Sequence, residues 1–357
     1  MAVDYAPRMI SSHSHPFRSN GRFFGGLAGM VLLLIAPGCG MSRLAANRII
    51  AAPNQHQRGA LAAWNSVWTN LLSKVTTNPL VSVTIPVGPP EAALSAMEVP
   101  PRDYHSRFVT SVERKPNGKG TLSLRWEPEP RHTFQPLVQP ATILVLHGYG
   151  MMKESMAPWA FVLAQAGFRV VTVDLRGHGQ STGAQITFGK YETTDLRQVL
   201  DYLIAHGLCD ERVGVLGLSY GATLALNWAA RDPRVRGVVA IAPYNRPDDA
   251  IARFAEMEKA PVPRRLVRAA AVSAGAKLDL KWSEWSAEAA MRRLKQPVLL
   301  IGGGKDPLSR PEDILKLKQA AGGESQSLEV PEADHYVVGF WIQDLAGPIT
   351  AWFRERL

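Results

Sequence analysis

Five short runs of aliphatic and β-branched residues recur along the chain: 142–147 (TILVLH), 169–174 (RVVTVD), 212–218 (RVGVLGL), 235–242 (VRGVVAIA) and 297–303 (PVLLIGG). They do not alternate apolar with polar. Strands of that kind are buried on both faces, as in a parallel sheet covered by helices on each side. Helix-length stretches separate them, the rhythm of βαβ units. Ahead of them, residues 107–115 and 121–127 are strand-like and flank Pro116-Asn117-Gly118-Lys119-Gly120, where Asn-Gly signals a tight hairpin. The pattern predicts an α/β fold: a mostly parallel, doubly wound sheet with an antiparallel hairpin at its N-terminal side. About fifty residues separate the fourth and fifth runs, far more than an ordinary connection, and predict a helical insertion over about 246–296.

The N-terminal third is less periodic. Trp64, Val67, Trp68, Leu71 and Leu72 fall at helical spacing and predict an amphipathic helix over about 60–75, read as a packing face with membrane contact as the alternative. Pro79, Pro86, Pro89, Pro90, Pro100 and Pro101 follow, and read as an extended linker or wrapping arm. Residues 39–104 are therefore assigned as an N-terminal helix and a Pro-rich arm, and 105–357 as the main domain.

With 46% hydrophobic and 20% charged residues over 357 positions, a sizeable core can form and general disorder is excluded. Lys+Arg 40 against Asp+Glu 31 gives a net charge of +9, but the basic residues are scattered. No zinc-finger, RNP or Arg-rich signature accompanies them, so a nucleic-acid partner is not expected. Cys39 and Cys209 are too few for a disulfide framework or a structural zinc site. Cys209 reads as a small buried hydrophobe.

The third run leads directly into Gly217-Leu218-Ser219-Tyr220-Gly221 and then an Ala/Leu-rich helix. A serine on so sharp a strand-to-helix turn has its hydroxyl exposed, and residues two before and two after it must lack bulk. The helix start also aims backbone N–H groups and its positive dipole end at the position where an oxyanion would form. Ser219 is the candidate nucleophile.

From about Arg107 onwards the chain resembles the α/β-hydrolases. Besides the Ser219 turn, Leu146-His147-Gly148-Tyr149-Gly150 is similar to the family's oxyanion loop. The run Asp174-Leu175-Arg176-Gly177-His178-Gly179-Gln180-Ser181 resembles the D-x-R-G-x-G-x-S turn of monoacylglycerol lipases, lysophospholipases and prolyl iminopeptidases. The resemblance implies a triad in the chain order Ser, then acid, then His. Among nine histidines His335 alone follows Ser219, and becomes the candidate base. Asp306, in a tight turn after the fifth run, is the leading acid, with Asp248 and Asp249 as alternatives. Asp334 adjoins the histidine too closely to reach its Nδ1. His147 and His178 are expected to serve structure within their Gly-rich turns. The oxyanion would be held by the backbone N–H of Tyr220 and, by resemblance, of Tyr149.

The resemblance implies a serine hydrolase of carboxylic esters, lipid-like acyl esters among them, needing no metal or organic cofactor. A peptidase or amidase, an acyltransferase or a C–C hydrolase on the same triad remains open, as does a binding protein that kept the fold. Haloalkane dehalogenase and epoxide hydrolase chemistry needs a carboxylate where Ser219 stands. The insertion carries eleven basic and seven acidic residues, with Phe254, Met257, Leu266, Val267, Trp282 and Trp285 as apolar surface. Such a cap suits a medium acyl chain or a substrate presented by an anionic membrane, and equally fits an ordinary amphipathic helical cover.

Residues 1–22 carry Arg8, Arg18 and Arg22, and 23–36 (FFGGLAGMVLLLIA) are uncharged and apolar. That run is too short for a comfortable bilayer span but fits the apolar region of a signal peptide. Ala36 and Gly38 place small residues before Cys39, which resembles a bacterial lipoprotein signal. Residues 1–38 are then the signal peptide, with Cys39 lipidated at the mature N-terminus and holding the protein at an extracytoplasmic membrane surface. Plain secretion with the same cut and an uncleaved anchor are the alternatives.

Overall fold

The computed structural model describes residues 39–56, 72, 76, 80–114, 120–129, 134 and 136–357. The expected signal segment, almost all of the expected 60–75 helix and the Asn117-Gly118 turn lie outside them. The described elements run α1 (Cys39–Ile50), β1 (Val81–Val87), β2 (Ala92–Val99), β3 (Ser106–Arg114), β4 (Gly120–Pro128), β5 (Thr142–Leu146), α2 (Ala157–Gln165), β6 (Arg169–Val173), α3 (Glu192–Ala205), β7 (Val213–Leu218) and α4 (Tyr220–Ala229). Then follow β8 (Val235–Ile241), α5 (Pro247–Met257), α6 (Arg264–Lys277), α7 (Ala287–Arg293), β9 (Val298–Gly303), α8 (Pro311–Gln319), β10 (Ser325–Val330) and α9 (Ile342–Arg356).

The main sheet has the order β1-β2-β6-β5-β7-β8-β9-β10. Its pairs β1–β2 and β2–β6 are antiparallel, and the rest are parallel. The five apolar runs form its centre, and β5, β7 and β9 are buried at every position. Alternate side chains feed two cores: Leu144 and Leu146 enter one, Ile143 and Val145 the other. Each fully buried aliphatic side chain contributes roughly 1.5–3 kcal/mol relative to exposure. Helices cover both faces because their apolar stripes fit them. On α3, Leu196, Val199, Leu200 and Leu203 are buried at helical spacing, while α9 buries Ile342, Leu345, Ile349 and Trp352.

Two expectations are corrected. The Pro-rich arm contains two strands of the main sheet, so the sheet begins at Val81 rather than after 104. Ile85, Val87, Leu94 and Ala96 are buried from β1 and β2, and Pro86 is tolerated because β1 is an edge strand. The hairpin β3–β4, in turn, forms a separate two-stranded sheet instead of leading into the main one. It docks by side chains: Phe108 stacks on Phe161 of α2, and the Thr110 N–H donates to Gln343 of α9 at 3.2 Å.

Helix α1 packs along α6 of the insertion and buries Ala45, Ala46, Ile49 and Ile50 in the core. The last residue of α1 and the chain after it are stitched to the 174–186 segment: the Ile186 N–H donates to the Ile50 carbonyl at 2.8 Å and the Asn54 N–H to that of Gly177 at 3.0 Å. The insertion is helical, as its length implied, and consists of α5, α6 and α7. Among the described residues no helix is long and apolar enough to cross a membrane.

Candidate active site

Ser219 sits between the end of β7 and the start of α4 with φ 51° and ψ −108°. An L-residue held there is strained, and its surroundings hold it: its N–H donates to the Ile241 carbonyl at 2.8 Å. The two glycines are required by space. A Cβ on Gly217 would lie 2.3 Å from the Gly221 carbonyl oxygen, and one on Gly221 only 2.5 Å from that of Leu146. The turn thus presses against the end of β5, where the 147–150 loop begins.

Two more loops meet this turn. The loop after β9 carries Asp306 and the loop after β10 carries His335. Their backbones interlock, with the Gly304 N–H on the Val330 carbonyl at 2.9 Å and the Lys305 N–H on that of Ala333 at 3.0 Å. A Cβ on Gly303 would lie 2.4 Å from the Ala333 oxygen, so the close approach depends on glycine there. The outcome is a continuous chain: Ser219 Oγ lies 2.8 Å from His335 Nε2, and His335 Nδ1 lies 2.7 Å from Asp306 Oδ2. Asp306 is buried, and its Oδ1 accepts the backbone N–H groups of Leu308 and Ser309, each at 2.8 Å.

The alternative acids are engaged elsewhere. Asp248 pairs with Arg246 at 2.8 Å. Asp249 is surrounded by Arg253, Arg264 and Arg268. Burial disfavours its charge, but the arginines outweigh that and hold its carboxyl below the usual range. Asp334 accepts the Tyr336 N–H at 3.0 Å.

His147 is fully buried, with Nδ1 2.8 Å from the Gly148 carbonyl and Nε2 accepting the Leu175 N–H at 3.0 Å. The ring is therefore neutral with its proton on Nδ1, and burial pulls its pKa down to about 4. His178 places Nδ1 2.9 Å from the Arg176 carbonyl, and burial with the adjacent His147 pulls it down to about 3. Both histidines are buried in their Gly-rich turns, away from the Ser219–His335–Asp306 chain of hydrogen bonds.

Tyr220 opens α4, so its N–H lies in the helical turn that lacks intrahelical acceptors. Its ring is buried and its hydroxyl donates to Glu192 at 3.1 Å. Glu192, which sequence reasoning missed, also accepts the Thr187 N–H at 2.6 Å and the Gly189 N–H at 2.8 Å. Tyr149 packs edge-on to Tyr220, His178 and Phe254, and burial pushes its hydroxyl up to about 12.

The 174–181 turn is braced by buried charge. Asp174 accepts the Lys153 N–H at 2.6 Å and the Gln180 N–H at 2.9 Å, with the Lys153 ammonium 3.1 Å away. Arg176 forks onto Asp195 through two contacts of 2.7 Å. Of these partners only the turn itself carried a local sequence signal. Cys209 is half-buried, and burial pushes its thiol up to about 11. Among the described residues no cluster of His, Cys, Asp and Glu could hold a metal ion.

Residues 139–284 match the family described as serine aminopeptidase, S33. A 31.7 kDa Escherichia coli protein from the traX-finO intergenic region is 23% identical over 264 residues, covering 60% of this chain and 91% of its own. A thermostable monoacylglycerol lipase of a Bacillus species is 31% identical over 109 residues, which is 29% of this chain and 40% of the lipase. Among solved structures, an esterase of Pyrococcus furiosus superposes with a TM-score of 0.55 at 20% identity, covering 78% of this chain and 93% of that one. The chain has the α/β-hydrolase fold.

Proposed function

We propose that this protein cleaves carboxylic esters through an acyl-enzyme on Ser219. The observation that carries the reading is the unbroken hydrogen-bond chain from the Ser219 hydroxyl through His335 to Asp306, on a strained turn whose neighbours are glycine. His335 Nε2 takes the hydroxyl proton as Oγ attacks the acyl carbonyl. The carbonyl electron pair moves onto its oxygen, which the backbone N–H groups of Tyr220 and Tyr149 hold. Collapse expels the alcohol, to which the imidazolium returns the proton. Water then repeats the sequence on the acyl-enzyme and regenerates Ser219. Asp306 keeps the Nδ1–H tautomer in place and stabilises the imidazolium. Phe254 and Met257, half-buried on α5, supply apolar surface for the acyl part.

Labelling with a fluorophosphonate probe tests the chemistry. Wild-type protein should be labelled and Ser219→Ala should not; folded wild-type protein that resists the probe would falsify the assignment. p-Nitrophenyl esters of increasing chain length, run beside peptide amides, test the substrate class. Faster turnover of amides at saturation would favour the peptidase reading, which the family match to serine aminopeptidases also supports.

We infer further that Cys39 is lipidated after cleavage of residues 1–38. Helix α1 starts at Cys39 and packs on α6 of the insertion, so an anchor there would sit within about 18 Å of the cap, the length of a twelve-residue helix. Cys39→Ser should abolish metabolic palmitate incorporation; unchanged incorporation would remove the anchor.

A further inference from the structure

One helix of the insertion touches all three loops of the site. From α5, Arg253 donates to the Leu308 carbonyl at 2.9 Å, two residues past Asp306, and pairs with Asp313 of α8. The next residue, Phe254, packs its ring against Tyr149 of the 147–150 loop with centroids 6.3 Å apart. Glu258, just past the helix end, accepts the hydroxyl of Tyr336, the residue following His335. The contact joins positions 78 apart in sequence.

The His335 loop is held on its near side by backbone bonds to the Asp306 loop. Just beyond His335 the Val337 and Val338 N–H groups bond locally, to the Asp334 carbonyl at 3.3 and 3.0 Å. The first backbone ties to other elements come at Gly339, whose carbonyl accepts the Trp159 Nε1–H at 2.7 Å, and at Phe340, whose carbonyl accepts the Thr110 hydroxyl. A phenol donating to a carboxylate is charge-assisted and roughly twice as strong as a neutral hydrogen bond. The site is desolvated as well. Burial holds the Glu258 carboxyl above its usual range, and the Tyr336 hydroxyl pulls it only part of the way back.

We propose that Tyr336 is a positioning residue: through Glu258 it ties the cap helix α5 to the loop of His335, so that cap seating and triad alignment form one equilibrium. The proposal rests on the triad reading. Arg253 fixes the same helix to the Asp306 loop, which makes α5 a common brace for base and acid. A base displaced by about 1 Å loses on the order of 10²-fold in rate, so a partial loosening has a measurable effect.

The experiment compares Tyr336→Phe, Glu258→Ala and Glu258→Gln in the full chain. It reads kcat and KM on p-nitrophenyl acetate, the downfield proton resonance of the His335–Asp306 hydrogen bond, and Tm. A short acyl group makes few cap contacts, so the effect should fall on kcat. We expect Tyr336→Phe and Glu258→Ala to lower kcat about tenfold, with KM within about twofold and the resonance shifted or broadened. Glu258→Gln, which can still accept the Tyr336 hydroxyl, should recover most of kcat. An unmoved resonance with kcat within about twofold of wild type in both disruptive variants would overturn the proposal, as would a rise in KM alone. A fall in kcat with an unmoved resonance also overturns it. Glu258→Ala reports on the same contact should Tyr336→Phe fail to fold. Failure of the triad reading shows separately, as activity retained by Ser219→Ala.

Discussion

His335 Nδ1 lies 2.7 Å from one carboxylate oxygen of Asp306, while the other oxygen of Asp306 accepts two backbone N–H groups from its own turn. The carboxylate cannot rotate without breaking both, and one oxygen is therefore held facing the imidazole. The acid's orientation is a property of the turn at Pro307–Ser309.

Asp306→Asn makes use of that asymmetry. The two backbone donors require an acceptor, so the amide oxygen takes their side and the NH2 group faces His335. The imidazole must then carry its proton on Nε2 and cannot accept one from Ser219. We expect kcat to fall on the order of 10⁴-fold with Tm nearly unchanged, measured by ester turnover and thermal melting. A loss below about tenfold would show that the orientation of Asp306 is not what holds the tautomer.

Gly221→Ala tests the approach of α4 to β5. Its Cβ would fall 2.5 Å from the Leu146 oxygen and 2.6 Å from that of His147, both backbone atoms that cannot swing away. The elbow must shift, at a cost of about 3 kcal/mol. Urea unfolding should show that loss, and fluorophosphonate labelling should slow in whatever remains folded. A variant as stable as wild type would contradict the packing described.

His178 predicts a pH dependence of stability. Its folded pKa of about 3 lies below the ordinary histidine value of 6.5, so between those limits the unfolded chain binds a proton that the folded one does not. Above 6.5 the ring is neutral in both states and has no effect, and stability is lost as pH falls through that window. His178→Phe keeps an aromatic ring beside Tyr149 and Tyr220 and removes the titration. From pH 6 to pH 4.5 the variant should gain on wild type by about 1.4 kcal/mol per pH unit. The check is the difference between urea midpoints of the two proteins; parallel curves would mean that His178 is protonated in the fold.

Asp195→Leu leaves the Arg176 guanidinium buried without its carboxylate, since their side chains are 2% and 3% exposed. We expect a loss of about 3–5 kcal/mol, partly recovered when Arg176→Met is added, as read by urea unfolding of both variants. An unaffected single variant would mean that water reaches the pair.

The central strands were legible because a doubly buried strand must be apolar at every position, and 142–147 or 297–303 fit no other short element as well. Ser219 was legible because the turn's steric demands fall on Gly217 and Gly221, two residues away on either side. His335 was singled out as the candidate base by elimination, from the chain order the family resemblance implied, and the structure places it 2.8 Å from Ser219 Oγ. Strands β1 and β2 were hidden, since Pro86 at an edge costs no ladder bond yet reads locally as a breaker. The separate docking of β3–β4 was equally hidden, because a hairpin looks the same whichever surface it packs on.

Local sterics and periodicity act over a few residues, so the sequence alone determined the strand–Ser219–helix turn, the parallel sheet and the helical insertion. Which of Asp248, Asp249 and Asp306 faces His335, where α1 lies, and that Glu258 meets Tyr336 were decided only by tertiary packing. Those contacts join segments dozens to hundreds of residues apart. Their geometry follows from how whole helices seat on the sheet, and no short-range pattern encodes that.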